Sequence, residues 1–327
     1  MKILITGGLG FIGSNLINFL IKKKNIKQII IVDDKSKCDT RYLDGIIRYK
    51  YFNNSQNYTI NKSRVNIINT STKNRLFANK ITKQIDCVIH LAAESGIDLN
   101  IQNPRKAFDT NITGTFNYLD ACRINKVKNF IFASSGSVFG DAEPPMNEMT
   151  AKNPISTYGS SKLSIESFCE TYSKIFKLKT TILRFSNAYG PFSLHKKSVV
   201  ANFTKNILNG KPIIINGDGS ITRDYIHVTD IVKAIYNSLN QKSPYENFNI
   251  STGKETSINT LSKIMTNIFI KFGYKNTRLK YQKERLGDMR YNSMNSKKYL
   301  KYYKVNNLIS VNDGLKNTIK WFLNNYK

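Results

Sequence analysis

Tyr158 and Lys162, with the pair Ser134-Ser135, are the residues whose types and placement suit proton transfer to and from a substrate hydroxyl. Tyr158 and Lys162 bracket the segment Tyr158-Gly159-Ser160-Ser161-Lys162, and residues at i and i+4 share one face of a helix. An ammonium beside a phenol stabilises the phenolate and lowers the phenol's pKa. A tyrosine, ordinarily near ~10, then becomes a usable general base close to neutrality. That spacing also arises in ordinary surface pairs, so the companion feature matters. Ser134-Ser135 closes a predicted strand over 129–135. In a doubly wound sheet ligands bind beyond the carboxyl ends of the strands, where a hydroxyl can hydrogen-bond the same substrate oxygen.

A second constellation suits a dinucleotide. The apolar run 2–6 leads into Gly7-Gly8-Leu9-Gly10-Phe11-Ile12-Gly13. Gly7 permits a tight turn, Gly10 lets the backbone approach a pyrophosphate, and Gly13 lets the following helix pack closely on the strand. The helix opening at Phe11 and Ile12 offers free N–H groups and a partial positive charge to phosphates. Asp33 follows Gly13 by 20 residues, at the end of the second predicted strand, 29–33. A carboxylate there accepts hydrogen bonds from adenosine ribose hydroxyls and repels a 2′-phosphate, which favours NAD over NADP. The plainer reading of Asp33 is a turn or cap residue. Oxidised nicotinamide, being positively charged, would add to the ammonium's effect on Tyr158.

The elements that must position these groups alternate. Strands are predicted at 2–6, 29–33, 65–68, 86–93, 129–135 and 180–186, and helices at 11–24, 107–123 and 158–176. Near-continuous apolar strands separated by helices imply a parallel sheet covered on both faces. The expected class is therefore α/β: a Rossmann-type doubly wound parallel sheet with a smaller interleaved α/β substrate-binding domain. The expected division is an NAD-binding domain over 1–186, with 213–242 returning to it, and a substrate-binding domain from 187–212 and 243–327. The Asn-rich stretch 53–74 reads as a long loop with one strand in it. Beyond 190 the pattern gives a helix (199–209), a strand (213–215), a loop (217–224) and a helix (229–239).

Composition sets limits. The chain has 327 residues with 11% aromatics, which excludes disorder for most of it. No apolar run approaches the ~20 residues that span a bilayer, and the N-terminus lacks a secretory pattern. Cys38, Cys87, Cys122 and Cys169 form no CxxC, and with His90, His195 and His227 they complete no metal-ligand spacing. Reduced thiols in a cytoplasmic protein are the natural expectation. The net charge of +28 invites a nucleic-acid partner. No block of five like charges occurs, and the excess reads first as compositional bias on a solvated surface.

The motifs taken together resemble the extended short-chain dehydrogenases/reductases, in the NAD-dependent sugar-nucleotide epimerase/dehydratase group, and most of all the UDP-hexose 4-epimerases. The resemblance runs through TGGLGFIGS (6–14), HLAA (90–93), NITGT (111–115), FASSGSVFG (132–140), YGSSK (158–162), RFSNAYGP (184–191), GDGSITRDYIHV (217–228), RLGD (285–288) and GLKNTIKWF (314–322). It implies Ser135, Tyr158 and Lys162 as the catalytic set, with Tyr158 and Lys162 also at the cofactor beside Ala92, Ala93 and Asn111. It implies Asn187, Val199, Arg223 and Arg285 at the nucleotide diphosphate sugar, a homodimer, and no membrane partner.

Departures from the group's patterns narrow the reaction. Family 4,6-dehydratases carry Asp-Glu directly after the catalytic hydroxyl, and uronate decarboxylases a Glu at the second position; here stand Gly136 and Ser137. A 4-epimerase needs only the Ser/Tyr/Lys set and a held NAD, so C4 epimerisation of UDP-glucose/galactose or a UDP-N-acetylhexosamine is expected. The 4-keto reductases and uronate epimerases use the same set. Asn292 stands where a bulky aromatic restricts related pockets to plain hexoses, which implies room for an N-acetyl group; a surface Asn is the plainer reading. Asn69-Thr70-Ser71 replaces the Gly-Asp-Ile that reads adenine, and Asn100 replaces a common serine. Some atypical relatives bind RNA instead of catalysing, usually with a degraded Tyr/Lys pair, and both residues are present here.

Overall fold

The computed structural model describes residues 1–59, 61–96, 100, 102–274, 277–283 and 293–326. Its centre is an eight-stranded sheet ordered β11-β7-β6-β5-β1-β2-β4-β3. The strands are β1 (Lys2–Thr6), β2 (Gln28–Asp33), β3 (Lys50–Phe52), β4 (Val65–Asn69), β5 (Cys87–His90), β6 (Asn129–Ser135), β7 (Lys179–Phe185) and β11 (Tyr245–Ile250). Pairing is parallel throughout from β3 to β6. This is the expected Rossmann-type α/β fold. The winding reverses between β1 and β5, so the crevice for a ligand lies at the carboxyl ends of those two strands.

The physical reason for these strands is visible in their burial. Ile3, Leu4, Ile5, Ile29, Ile31, Val88 and Ile89 are all fully buried, as a sheet covered on both faces requires. Helices cover it: α1 (Phe11–Leu20), α2 (Arg75–Thr82), α3 (Pro104–Phe108), α4 (Thr115–Ile124) and α5 (Thr157–Phe176). α1 stops at Leu20, short of the expected 24, because the residues beyond it lose the apolar face that packing needs. The expected helix over 107–123 is instead α3, a widened π-type turn at Asp109–Gly114, and α4. Such widened turns recur at functional sites. β3, three residues on the sheet edge, falls in sequence that offers no alternating pattern.

The chain divides into two compact units, at boundaries that correct the sequence expectation. The first is 1–142, 150–184 and 232–248; the second is 143–149, 185–231 and 249–327. Of the segment 213–242 expected to return to the first unit, 213–231 belongs to the second. Two pairings hold it there. β9 (Ile213–Asn216) pairs in parallel with β13 (Leu279–Gln282). β10 (Thr222–His227) runs between β8 (Asn187–Tyr189) and β12 (Glu255–Ser257), so the expected loop over 217–224 ends in strand. The second unit's core includes Tyr189, Ile213, Ile215 and Tyr225, packed with Leu261, Met265, Leu315 and Ile319. The chain continues through α6 (Val199–Leu208), α7 (Val228–Ser238), α8 (Ile258–Lys271), α9 (Lys297–Tyr303) and α10 (Val311–Asn325), and the last four core residues named lie on α8 and α10.

All four cysteines are free and buried. Cys122 and Cys169 lie in the first unit's apolar core, where they act as small core residues. Among the described residues, no helix is long and apolar enough to cross a membrane.

Candidate active site

The turn after β1 is shaped by contact with the strand beside it. Gly7 adopts φ +68, and a Cβ there would meet the Ala92 backbone at 2.7 Å. A Cβ at Gly13 would meet the Gly7 and Gly8 carbonyl oxygens at 2.5 Å, so α1 can begin only against a bare glycine. Gly10 differs: a Cβ there would meet nothing nearer than the Gly7 carbonyl at 3.3 Å. The chain's own packing does not require Gly10 to be bare, whereas close approach of a pyrophosphate does. Gly10 also caps α1 without any side-chain hydrogen bond, so no capping side chain occupies the N–H groups of its first turn, at Phe11 and Ile12. The residues present therefore fit a dinucleotide.

Asp33 reaches back to this turn. Its carboxylate accepts from the Leu9 N–H at 3.0 Å and the Lys35 N–H at 2.9 Å. Burial pushes the Asp33 carboxyl up to about 6, and the two backbone N–H groups pull the other way. Thr70 donates its N–H to the Asp33 carbonyl at 3.2 Å.

The proton-transfer group is built by β6 and α5. α5 begins at Ser156, whose hydroxyl accepts from the Gly159 N–H at 3.1 Å. Its first turn presses on the turn that follows β6: a Cβ at Gly159 would collide with the Ser137 carbonyl oxygen. This contact is why glycine follows the tyrosine. Enclosure of the Tyr158 phenol pushes it up to about 12, and the Ser135 hydroxyl pulls it down. Lys162, 3% exposed, donates to the Ala133 carbonyl at 2.8 Å and lies over the Phe132 ring at 4.8 Å. Burial lowers Lys162 to about 7, opposed by the Glu166 carboxylate. The ammonium, with oxidised nicotinamide adding to it, was expected to lower the phenol's pKa; in the chain alone burial is the largest influence and the shift runs upward.

Ser134 and Ser135, neighbours on β6, point to different fates. Ser134 is buried and donates to Glu166 at 2.5 Å. Ser135 stays partly open, and its hydroxyl lies 3.0 Å from the Ser137 hydroxyl and accepts from the Ser137 N–H at 3.2 Å. Ser137 was absent from the residues singled out as site members. So was Glu166, although it continues the i, i+4 ladder of Tyr158 and Lys162 by one more step. Glu166 forms a buried pair with Arg184 at 2.7 Å, the two side chains 4% and 1% exposed.

Asn111 sits in the widened turn and is 1% exposed. Its side chain brackets the Glu94 backbone, accepting from the N–H at 2.7 Å and donating to the carbonyl at 3.2 Å. It also donates to Ser161 on α5 at 3.1 Å. Asn111 thus ties the segment carrying Ala92 and Ala93 to the helix carrying Tyr158 and Lys162. Asn100 adds a hydrogen bond to the Glu94 carbonyl at 3.1 Å. His90 is held neutral at the base, between the Thr6 and Thr115 hydroxyls at 2.9 Å each, with burial lowering it to about 3.

The second unit holds the other expected residues. Asn187 on β8 lies opposite Tyr225 of β10, two residues beyond Arg223 on that strand. Arg223 donates to its neighbour's carbonyl, that of Thr222, at 2.7 Å. Val199 opens α6 and packs at the edge of the second core. Arg285 and Asn292 lie outside the described residues. Among the described residues, no group of three or more His, Cys, Asp or Glu could hold a metal ion.

With this geometry established, comparison with known proteins is informative. Residues 3–251 match the model of the NAD dependent epimerase/dehydratase family. A putative UDP-glucose 4-epimerase of Methanocaldococcus jannaschii is 32% identical over 99% of both chains. A dTDP-D-glucose 4,6-dehydratase of Dictyostelium discoideum is 33% identical over 82% of this chain and 62% of its own length. Among solved structures, the UDP-glucose 4-epimerase of Thermotoga maritima with UDP-glucose superposes with a TM-score of 0.87 and 31% identity, covering 100% of each chain.

Proposed function

The chain belongs to the NAD-dependent epimerase/dehydratase family, and from that premise we propose that it inverts C4 of a nucleotide-linked sugar through a transient 4-keto sugar. One observation carries the choice of reaction. Where an elimination needs carboxylates, the turn after Ser135 carries Gly136 and Ser137, and the Ser137 hydroxyl lies 3.0 Å from that of Ser135. A pocket end furnished with hydroxyls can hold and release a proton on one oxygen but offers no acid and base for expelling a second group.

In this reading Ser135 hydrogen-bonds the sugar's 4-oxygen and Tyr158 takes its proton. Lys162 favours the phenolate from one turn along α5. NAD held at the Gly7–Gly13 turn and Asp33 would supply reversible hydride acceptance at C4. Tyr158 then gives the proton back, so no cofactor is consumed. Gly7, Gly10, Phe11, Ile12, Gly13 and Asp33 bind the dinucleotide, with Ala92, Ala93 and Asn111 alongside. Asn187, Val199 and Arg223, with Arg285 and Asn292, bind the nucleotide sugar. The Thermotoga relative crystallised with UDP-glucose supports a UDP-hexose as substrate. Diphosphates on both ligands suit a basic cleft, and the remaining positive charge serves at most to draw anions.

The test is product analysis. The purified protein, with no cofactor added, is incubated separately with UDP-glucose, UDP-galactose, their N-acetylated forms and the uronates. The C4 epimer of one of them is expected. Turnover only when NADH is added and consumed stoichiometrically, or a dehydrated 4-keto product, would overturn the reading.

A further inference from the structure

Lys37, Glu94 and Lys106 take no part in the chemistry above, yet they form an ion cluster around a buried carboxylate. Glu94 is 5% exposed and pairs with Lys37 at 2.5 Å and with Lys106 at 3.0 Å. Lys37 lies four residues beyond the end of β2, and Glu94 four beyond the end of β5. The sheet order is β5-β1-β2. Neighbouring strands are ~4.8 Å apart, so the ends of β2 and β5 stand roughly 10 Å from one another with β1 between. A pair joining their loops therefore crosses the line of β1, whose carboxyl end opens into the Gly7–Gly13 turn.

The two ends of this bridge are unequally held. Glu94 is fixed: Asn111 grips its backbone N–H and carbonyl, Asn100 its carbonyl, and Lys106 on α3 its second carboxylate oxygen. Lys37 belongs to the loop after β2 and keeps 42% of its side chain exposed. Parting the bridge means moving Lys37 into water, which a lysine tolerates well, while Glu94 stays paired with Lys106.

We propose that the Lys37–Glu94 pair, with Lys106 as its anchor, is a strap across the dinucleotide groove that must part before NAD enters or leaves. The inference rests on NAD as the cofactor and on no particular sugar reaction. An enzyme that regenerates its cofactor each turn gains from holding it between turns, and a strap slows exchange without touching the reacting atoms.

The test follows exchange of bound NAD for its fluorescent etheno analogue in the holoenzyme, with native protein, Lys37→Ala and Glu94→Gln. A strap opposes passage in both directions. Association and release should both quicken, on the order of tenfold, with little change in the dissociation constant. Raising the salt should quicken exchange in the native protein and much less in Lys37→Ala. Release as slow in Lys37→Ala as in the native protein overturns the proposal. Faster release without faster association also overturns it, because that is the signature of a lysine gripping the pyrophosphate directly. Lys37 is exposed, so its variant keeps the test should Glu94→Gln not fold. Exchange is measured without sugar, so a failed epimerase reading leaves this result standing.

Discussion

The Lys162 ammonium lies 5.7 Å from the Tyr158 ring centroid, with its proton directed to the Ala133 carbonyl. Burial lowers Lys162 to about 7 and raises Tyr158 to about 12. With both protonated there is no base. Loss of one proton gives either a phenolate beside an ammonium or a phenol beside an amine, and both can accept the sugar's proton. The kcat/KM of the proposed reaction should therefore rise with pH through one apparent ionisation near 7 and level off above it. A pH profile flat from mildly acid to mildly alkaline conditions would contradict this assignment.

Tyr158→Phe keeps the ring and removes the proton acceptor. Turnover should fall by about 10²- to 10⁴-fold while NAD remains bound. Undiminished turnover would remove Tyr158 from the chemistry.

Glu166 and Arg184 form a buried pair that also receives the Ser134 hydroxyl. Glu166→Gln leaves the Arg184 charge without its partner in an enclosed setting. The expected cost is about 3–5 kcal/mol in denaturant unfolding, read with the slope unchanged. A cost under about 1 kcal/mol would show that the pair is not isolated from water.

Gly159→Ala places a methyl group against the Ser137 carbonyl. The turn holding Ser135 and Ser137 must shift away from α5, and a displaced hydroxyl at a reacting oxygen can cost on the order of 100-fold in kcat. The fold should survive, so normal far-ultraviolet circular dichroism with lost activity is the expected combination. Full activity would mean the turn relaxes freely.

Asp33 carries the cofactor's pH dependence. Burial raises its carboxyl to about 6. Its raised pKa means that ionised Asp33 costs the fold stability as pH rises through about 6, a cost that ribose hydroxyls on the carboxylate would offset. Below that pH the protonated acid accepts more weakly, so NAD affinity should drop as pH falls through about 6. Asp33→Asn should bind more weakly at neutral pH and lose this dependence. A native affinity independent of pH across that interval would argue against the ribose contact.

Much of the site was legible in the sequence because it is local. The glycine turn, Asp33 and the Tyr158/Lys162 pair each depend on residues close in sequence and on one element's geometry. Glu166 was equally legible, since the same helical spacing extends to it. Ser134 and Ser135 were not separable, because which hydroxyl is locked depends on a carboxylate 32 residues later. The side-chain amide of Asn111, a residue expected beside the cofactor, also holds the Glu94 backbone and Ser161. No pattern in the sequence announces those bonds.

By itself the sequence determined the element types and the order in which they wind, because burial on both faces forces long apolar strands between helices. Only the tertiary structure decided which segment joins which unit. The strand at 213–216 finds its partner at 279–282, and no local periodicity encodes a pairing across that separation. The same holds for Lys37 and Glu94, which meet only because β1 lies between β2 and β5 in the sheet. Spacing along the chain fixes what one element presents; strand order fixes what two distant elements bring together.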